Sequence, residues 1–472
     1  MYFYPELFKK FINAFSSHYE INYFYNSIYF NSFSNAFKEV LQNSKRNEKQ
    51  PNGNLFLKTW FDNMDTEFDE KLRSDGFINL LSKYVNSSLD LFNSMYNGYL
   101  YPQLIYHDLV DFCLKYVYSP YISYSKELNS SDHKIVFHKD NIKLLHYINN
   151  NQPTKGSGNN ILLVIYAPIN RYHILDLKPS KSVVRTLLNN GSDVYLLDWG
   201  YPDKKDNELT LKDFIDYIDD AVNVIIQSRS ITTSSSSLST PIKISILGYC
   251  WGGILSLIYT ATATNQKNID KLILMATPVD FSKDNTTVSM WSKSVDTNKI
   301  IDIIGHFDGY LLDFVFNMRN PSKFIFAKYF NLWKNMDNKD FVNTFVAVEK
   351  WLHDTPPIPG ELYKKIVKDC YNANLLISGN MQLYKYTSNE VDKNDVNNKI
   401  NINRITVPVL SIIAEKDDLV SPMSSLAITD YISSKEKTVF KHHGGHVSLC
   451  ISNEAHKELW PKVSRWIKSE IR

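Results

Sequence analysis

Gly248-Tyr249-Cys250-Trp251-Gly252-Gly253 puts a cysteine where a sharp turn would present a nucleophile. A β-rich run, Ile242 to Leu247, leads into it, and an apolar helical run, ILSLIYTATA, leads out. This is the G-x-nucleophile-x-G elbow with a thiol in place of a hydroxyl. The flanking glycines let strand and helix close around the turn, leaving the side chain at the helix N-terminus. There the helix dipole favours a thiolate, and the backbone N–H of Trp251 can face a developing oxyanion. The plain alternative, a buried cysteine in a glycine-rich turn, loses weight because strand, turn and helix occur together with suitable residues downstream.

A thiol nucleophile needs a base, and sheets of this kind draw the acid and then the histidine from loops after later strands. The run Val409 to Ala414 is followed by Glu415-Lys416-Asp417-Asp418-Leu419-Val420-Ser421-Pro422, and from position alone either Asp417 or Asp418 could serve as the acid. After the short run Thr438 to Lys441 comes His442-His443-Gly444-Gly445-His446. The glycine pair would let the backbone bring an imidazole to the thiol, which makes His446 the candidate base; His442 and His443 lie nearer the strand end. A second oxyanion donor should come from the loop Ala167-Pro168-Ile169-Asn170-Arg171, from the backbone of Ile169 or Asn170. Arg171 would meet a phosphate-bearing substrate if it faced the cleft, although a surface salt bridge is the commoner fate of a lone arginine.

These residues need a scaffold. The strands predicted are Ile161 to Ala167, Val194 to Trp199, Ile242 to Leu247, Lys271 to Ala276, Val409 to Ala414 and Thr438 to Lys441. The first five are apolar almost throughout, as a sheet covered on both faces requires. Strands alternating with helices give an α/β class with a mostly parallel sheet. One crossover helix begins at Thr210 with Asp213 as a capping-box partner, and the Ser/Thr tract from Ser228 to Thr240 reads as a solvated loop. The segment from about 281 to 400 breaks the alternation, reads mostly helical and occupies the place of a cap. Residues 1–130 read as helical, with the polar stretch Asn43 to Asn54 as an interruption.

With 472 residues the chain is long enough for one large α/β domain and an appendage. Fifty-two Lys and Arg against fifty Asp and Glu leave no charge excess to draw the chain to nucleic acid or acidic membranes. Cys113, Cys250, Cys370 and Cys450 are far apart, which indicates neither a metal site nor a disulfide framework and fits a reducing compartment. The N-terminus lacks an uninterrupted apolar core and a small-residue cleavage site, so it does not read as a signal peptide. The longest apolar run, Ile161 to Ile169, is about half of the roughly 20 residues needed to cross a bilayer. A cytoplasmic protein without a transmembrane segment is expected.

Several blocks together resemble the catalytic subunit of polyhydroxyalkanoate synthases, most closely the class III type that works with a second subunit. They are Tyr166-Ala167-Pro168-Ile169-Asn170-Arg171, Leu197-Asp198-Trp199-Gly200-Tyr201-Pro202-Asp203, the cysteine box, and Thr277-Pro278-Val279-Asp280-Phe281. Glu349-Lys350-Trp351, Asp369 with Tyr371 and Asn374, and Gly444-Gly445-His446-Val447 follow in order. The family's D-H-[LI]-V-P loop reads Asp417-Asp418-Leu419-Val420-Ser421-Pro422 here, so the resemblance places the acid at Asp417, with Asp418 in place of the usual histidine. It implies an α/β-hydrolase fold over 131–472 with a helical cap insertion at about 281–400. It also implies a Cys250–His446–Asp417 triad with Trp251 and Ile169 or Asn170 as oxyanion donors. The implied substrate is an (R)-3-hydroxyacyl-coenzyme A, short-chain such as 3-hydroxybutyryl, polymerised with release of coenzyme A and without metal or cofactor. The implied partners are the growing polyester or granule surface, a helical partner subunit, faintly echoed in residues 60–77, and a second copy of the chain. A thioesterase or depolymerase on the same scaffold, and a non-enzymatic granule coat, are the rival readings.

Overall fold

The computed structural model describes residues 131–148, 160–233, 241–263, 266–320, 338–384 and 398–469, with isolated positions between 323 and 335. The helical reading of residues 1–130, and Cys113 within it, lie outside the described residues. Two compact units are distinguished. One contains residues 290–303 and 311–346; the other contains the sheet and residues 304–310 and 347–469.

Among the described residues there are twelve strands: β1 (His133–Lys139), β2 (Ile142–Tyr147), β3 (Ile161–Ile165), β4 (Asp176–Lys178), β5 (Lys181–Ser182), β6 (Asp193–Asp198), β7 (Ile244–Tyr249), β8 (Ile269–Met275), β9 (His306–Phe307), β10 (Ile358–Pro359), β11 (Val409–Ala414) and β12 (Lys437–His442). Eight of them form one sheet in the order β1-β2-β6-β3-β7-β8-β11-β12. From β6 to β12 every neighbouring pair is parallel, and β1 and β2 add an antiparallel edge. All residues of β3, β7 and β11 are buried, because helices cover both faces and leave an apolar sequence as the only stable choice.

Helices following the strands include α1 (Val183–Asn189), α2 (Leu211–Thr233) and α3 (Trp251–Thr262), the last of which opens directly after Cys250. The cap of α2 is as the sequence predicts, with Thr210 donating to Asp213 Oδ2 from its amide (2.7 Å) and its hydroxyl (2.6 Å). The start of the Ser/Thr tract is helix, a correction to the loop reading. Ser228 and Ser230 are accommodated because their hydroxyls donate to the carbonyls of Ile225 and Ile226, one turn back. Residues 287–378 are chiefly helical where described, with the two-stranded β9–β10 ribbon between helices.

Candidate active site

Cys250 stands between the end of β7 and the start of α3 with φ 55° and ψ −123°, a left-handed backbone that a non-glycine residue adopts only under constraint. The constraint is visible on both sides. Its amide donates to Met275 O at the end of β8 (2.9 Å), and its carbonyl accepts from Gly253 N (2.9 Å). Glycines make the closure possible through lack of bulk. A Cβ on Gly252 would lie 2.3 Å from Ile165 O, and one on Gly253 would lie 1.8 Å from Thr277 Oγ1. The first of these contacts also shows that the end of β3 abuts the first turn of α3.

The acid and histidine loops are stitched together by Glu415 N to His442 O and Lys416 N to Gly444 O, both 2.9 Å. Asp417 is the carboxylate that meets the histidine: His446 Nδ1–H donates to Asp417 Oδ2 at 2.7 Å. Its other oxygen accepts from Leu419 N (2.9 Å) and Val420 N (3.0 Å), so both carboxylate oxygens are committed. His446 is buried and its ring stacks on Tyr249 at 5.0 Å between centroids. Burial alone would lower its pKa, but the charges of Asp417 and Cys250 and hydrogen bonds to both raise it to about 10. The imidazole is thus anchored on the carboxylate with Cys250 beside it, and its raised pKa makes it a strong base for the thiol proton. His442 is buried against Ser452 (3.2 Å), whereas His443 is exposed beside Glu415 (3.3 Å).

The other cysteines in the described residues sit in different surroundings. Burial pushes the Cys450 thiol up to about 12 and the Cys370 thiol higher still, which keeps both protonated. Cys250 is only partly buried.

The loop after β3 is fixed by residues whose partners are distant in sequence. Asn170 Nδ2 donates to Thr355 Oγ1 at 2.7 Å, and Trp351 Nε1 donates to Arg171 O at 2.7 Å. The Arg171 guanidinium is buried, donates to Gly200 O and Asp198 Oδ2, and lies over the Tyr201 ring. It therefore faces neither solvent nor an open cleft. Asp198 also accepts from Tyr166 Oη (3.0 Å) and Gly200 N (3.0 Å), and Trp199 Nε1 donates to Tyr166 O (2.8 Å). The Asp-Trp-Gly block is thus an internal clamp on the loop after β3. A charged residue closing the apolar strand VYLLD was the one local sign of it.

The sheet order, the elbow and the cysteine together define a thiol-bearing α/β-hydrolase-fold protein. A family profile for that fold matches residues 175–450. The chain is 35% identical over 307 residues to the "Poly(3-hydroxyalkanoate) polymerase subunit PhaC" of Allochromatium vinosum, covering 65% of this chain and 80% of that one. It is 33% identical to the protein of the same name from Haloferax mediterranei, covering 72% of this chain and 64% of that one. The Synechocystis protein of that name is 32% identical, covering 65% and 77%. The chain belongs to the poly(3-hydroxyalkanoate) polymerase family, within the α/β-hydrolase fold. Among the described residues, no helix is long and apolar enough to cross a membrane, and no cluster of three or more His, Cys, Asp or Glu is arranged to hold a metal ion.

Proposed function

We propose that this protein polymerises (R)-3-hydroxyacyl-coenzyme A, a short-chain unit such as 3-hydroxybutyryl foremost, through an acyl-enzyme on Cys250. Family membership supports the substrate class, and the observation that carries the mechanism is His446 held between Asp417 and Cys250. His446 takes the thiol proton, and Cys250 Sγ attacks the thioester carbonyl. The resulting oxyanion is held by the amide of Trp251 and that of Ile169 or Asn170. Collapse expels coenzyme A, which leaves with the proton from His446, and an acyl thioester remains on Cys250. Thiol and thioester exchange at similar energy, so the acyl group stays activated for the next transfer.

Elongation transfers this acyl group to the 3-hydroxyl of another unit, forming an ester and returning Cys250 as a thiol. The full commitment of both Asp417 oxygens supports His446, rather than Asp417 directly, as the base for that hydroxyl. Arg171 is assigned to holding the loop against Asp198, not to the phosphates of coenzyme A. The reaction requires no further cofactor in this reading. The product is water-insoluble, which puts the working enzyme at a granule surface. The word "subunit" in the relatives' names supports a partner chain, and a second copy of this chain is the other association to test.

The test is incubation of the purified full chain with (R)-3-hydroxybutyryl-coenzyme A. Free thiol together with polymer is expected, and Cys250→Ala should release none. Free thiol with only monomeric acid would make the protein a thioesterase; no thiol release would leave a granule coat.

A further inference from the structure

The residue after the nucleophile, Trp251, is buried, and its indole N–H donates to the hydroxyl of Tyr371 at 3.1 Å, 120 positions along the chain. Tyr371 is itself rigidly held. It lies in a π-helical turn, Val367–Asn372, and its ring packs on Phe281 at 4.6 Å. Such wide turns are rare and redirect the side chains they carry. On one flank of the turn Lys365 pairs with Asp369 (2.6 Å). On the other, Asn374, at φ 49°, donates to Asp280 Oδ1 (2.9 Å) and accepts from Phe281 N (3.0 Å). A continuous chain of contacts thus runs from the loop after β8 through Tyr371 to the first residue of α3. Burial raises the Tyr371 pKa well above its ordinary value, so the phenol is neutral across the working range and the link does not titrate.

We propose that Tyr371 is a positioning residue for acyl transfer: by holding the Trp251 indole it fixes the orientation of the Trp251 backbone amide toward the oxyanion. This rests on the reading of Cys250 as nucleophile and Trp251 N–H as oxyanion donor. The physical case is that Cys250 is strained and Trp251 opens the helix directly after it, so the amide inherits any rocking of the turn. An oxyanion donor is effective only if its direction is set before the charge develops. The side-chain bond to Tyr371 supplies a fixed point that the first turn of a helix lacks in its own backbone bonding.

The experiment compares two reactions of the same thiol in the full chain. Coenzyme A release from 3-hydroxybutyryl-coenzyme A in a single turnover passes through an oxyanion, whereas alkylation of Cys250 by iodoacetamide displaces iodide and does not. Tyr371→Phe removes the acceptor and keeps the ring. It should slow the acylation rate constant by about tenfold, with the substrate concentration for half-saturation unchanged and alkylation within about twofold of wild type. Trp251→Phe should show the same selective loss, and the double variant should be no slower than either single one.

Equal losses in acylation and alkylation would reduce the pair to structural packing and overturn the proposal, as would an unaffected Tyr371→Phe or multiplicative losses in the double variant. Should Tyr371→Phe not fold, the selectivity of Trp251→Phe decides the matter alone. Wild type and Cys250→Ala run alongside separate the two levels. Release that survives without Cys250, or is absent from wild type, sinks the underlying mechanism. Cys250-dependent release indifferent to Tyr371 sinks only this inference.

Discussion

At the scale of single residues, Asp417 and Asp418 are neighbours of identical chemistry, and it is Asp417 that pairs with His446. Asp417 spends one oxygen on His446 and the other on two backbone amides. In our mechanism Asp417→Asn should lower coenzyme A release by roughly 10³- to 10⁴-fold, since the amide no longer holds the imidazole in the needed tautomer. Asp418→Asn should stay within about twofold by the same steady-state assay. The reverse ranking would move the acid by one residue. His446 makes a second prediction. Its folded pKa, about 10, stands above the ordinary 6.5, so the protonated imidazole stabilises the fold fully below pH 6.5. That contribution declines as pH rises and is gone above about 10. Denaturant unfolding of wild type against His446→Gln should show a stability difference that shrinks between pH 6.5 and 10; a difference that grew with pH would reverse the sign of the coupling.

Among the elements, the elbow has no room for added bulk. On Gly252 a Cβ would meet backbone, Ile165 O at 2.3 Å and Tyr166 C at 2.5 Å, and backbone within a sheet cannot step aside. Gly379 offers the contrast, with φ +68° and nothing within 4 Å of an added Cβ. Gly252→Ala should therefore cost more than about 3 kcal/mol and abolish acylation. Gly379→Ala should cost about 1–2 kcal/mol, the penalty of a left-handed backbone alone, and leave acylation intact. Thermal unfolding and single-turnover release on the two variants check this. In the histidine loop the glycine pair is similarly unequal. A Cβ on Gly444 would come within 2.1 Å of Ser448 Oγ, while one on Gly445 finds its nearest neighbour, Lys416 O, at 3.4 Å.

Across the whole molecule, the sheet serves as a common reference for loops that are far apart in sequence. β7, β11 and β12 run parallel to one another through β8, so the elbow, the acid loop and the histidine loop all leave the same edge. The opposite end is closed by Lys271 on β8, buried at its root, which donates to Trp466 O, Ile467 O and Ser469 O at the end of the helix Trp460–Lys468. Lys271→Met should loosen that helix at a cost of about 2 kcal/mol, seen as a lower denaturation midpoint and earlier proteolytic cleavage within 460–469. Unchanged protection there would mean that packing of Trp460 and Val463 suffices without the ammonium group.

The elements that carry the candidate site were legible because each declares itself locally. Apolar runs such as Ile161 to Ile165 and Val409 to Ala414 allow little but a buried strand, and a cysteine between glycines at a strand–helix junction allows little but an elbow. The order of acid and histidine along the chain follows from the same alternation. What tertiary structure alone decided were relations between side chains remote in sequence. The hairpin β1–β2 carries no strong pattern because its outer strand is mostly exposed. Nothing near Arg171 distinguishes a surface arginine from one buried on Asp198, 27 positions away. Nor does any local signal join Tyr371 to Trp251. Backbone periodicity is written every two to four residues and can be read from a single strand of text. A polar pair inside a core depends on where two separate elements come to rest, and that is set only when the sheet has closed.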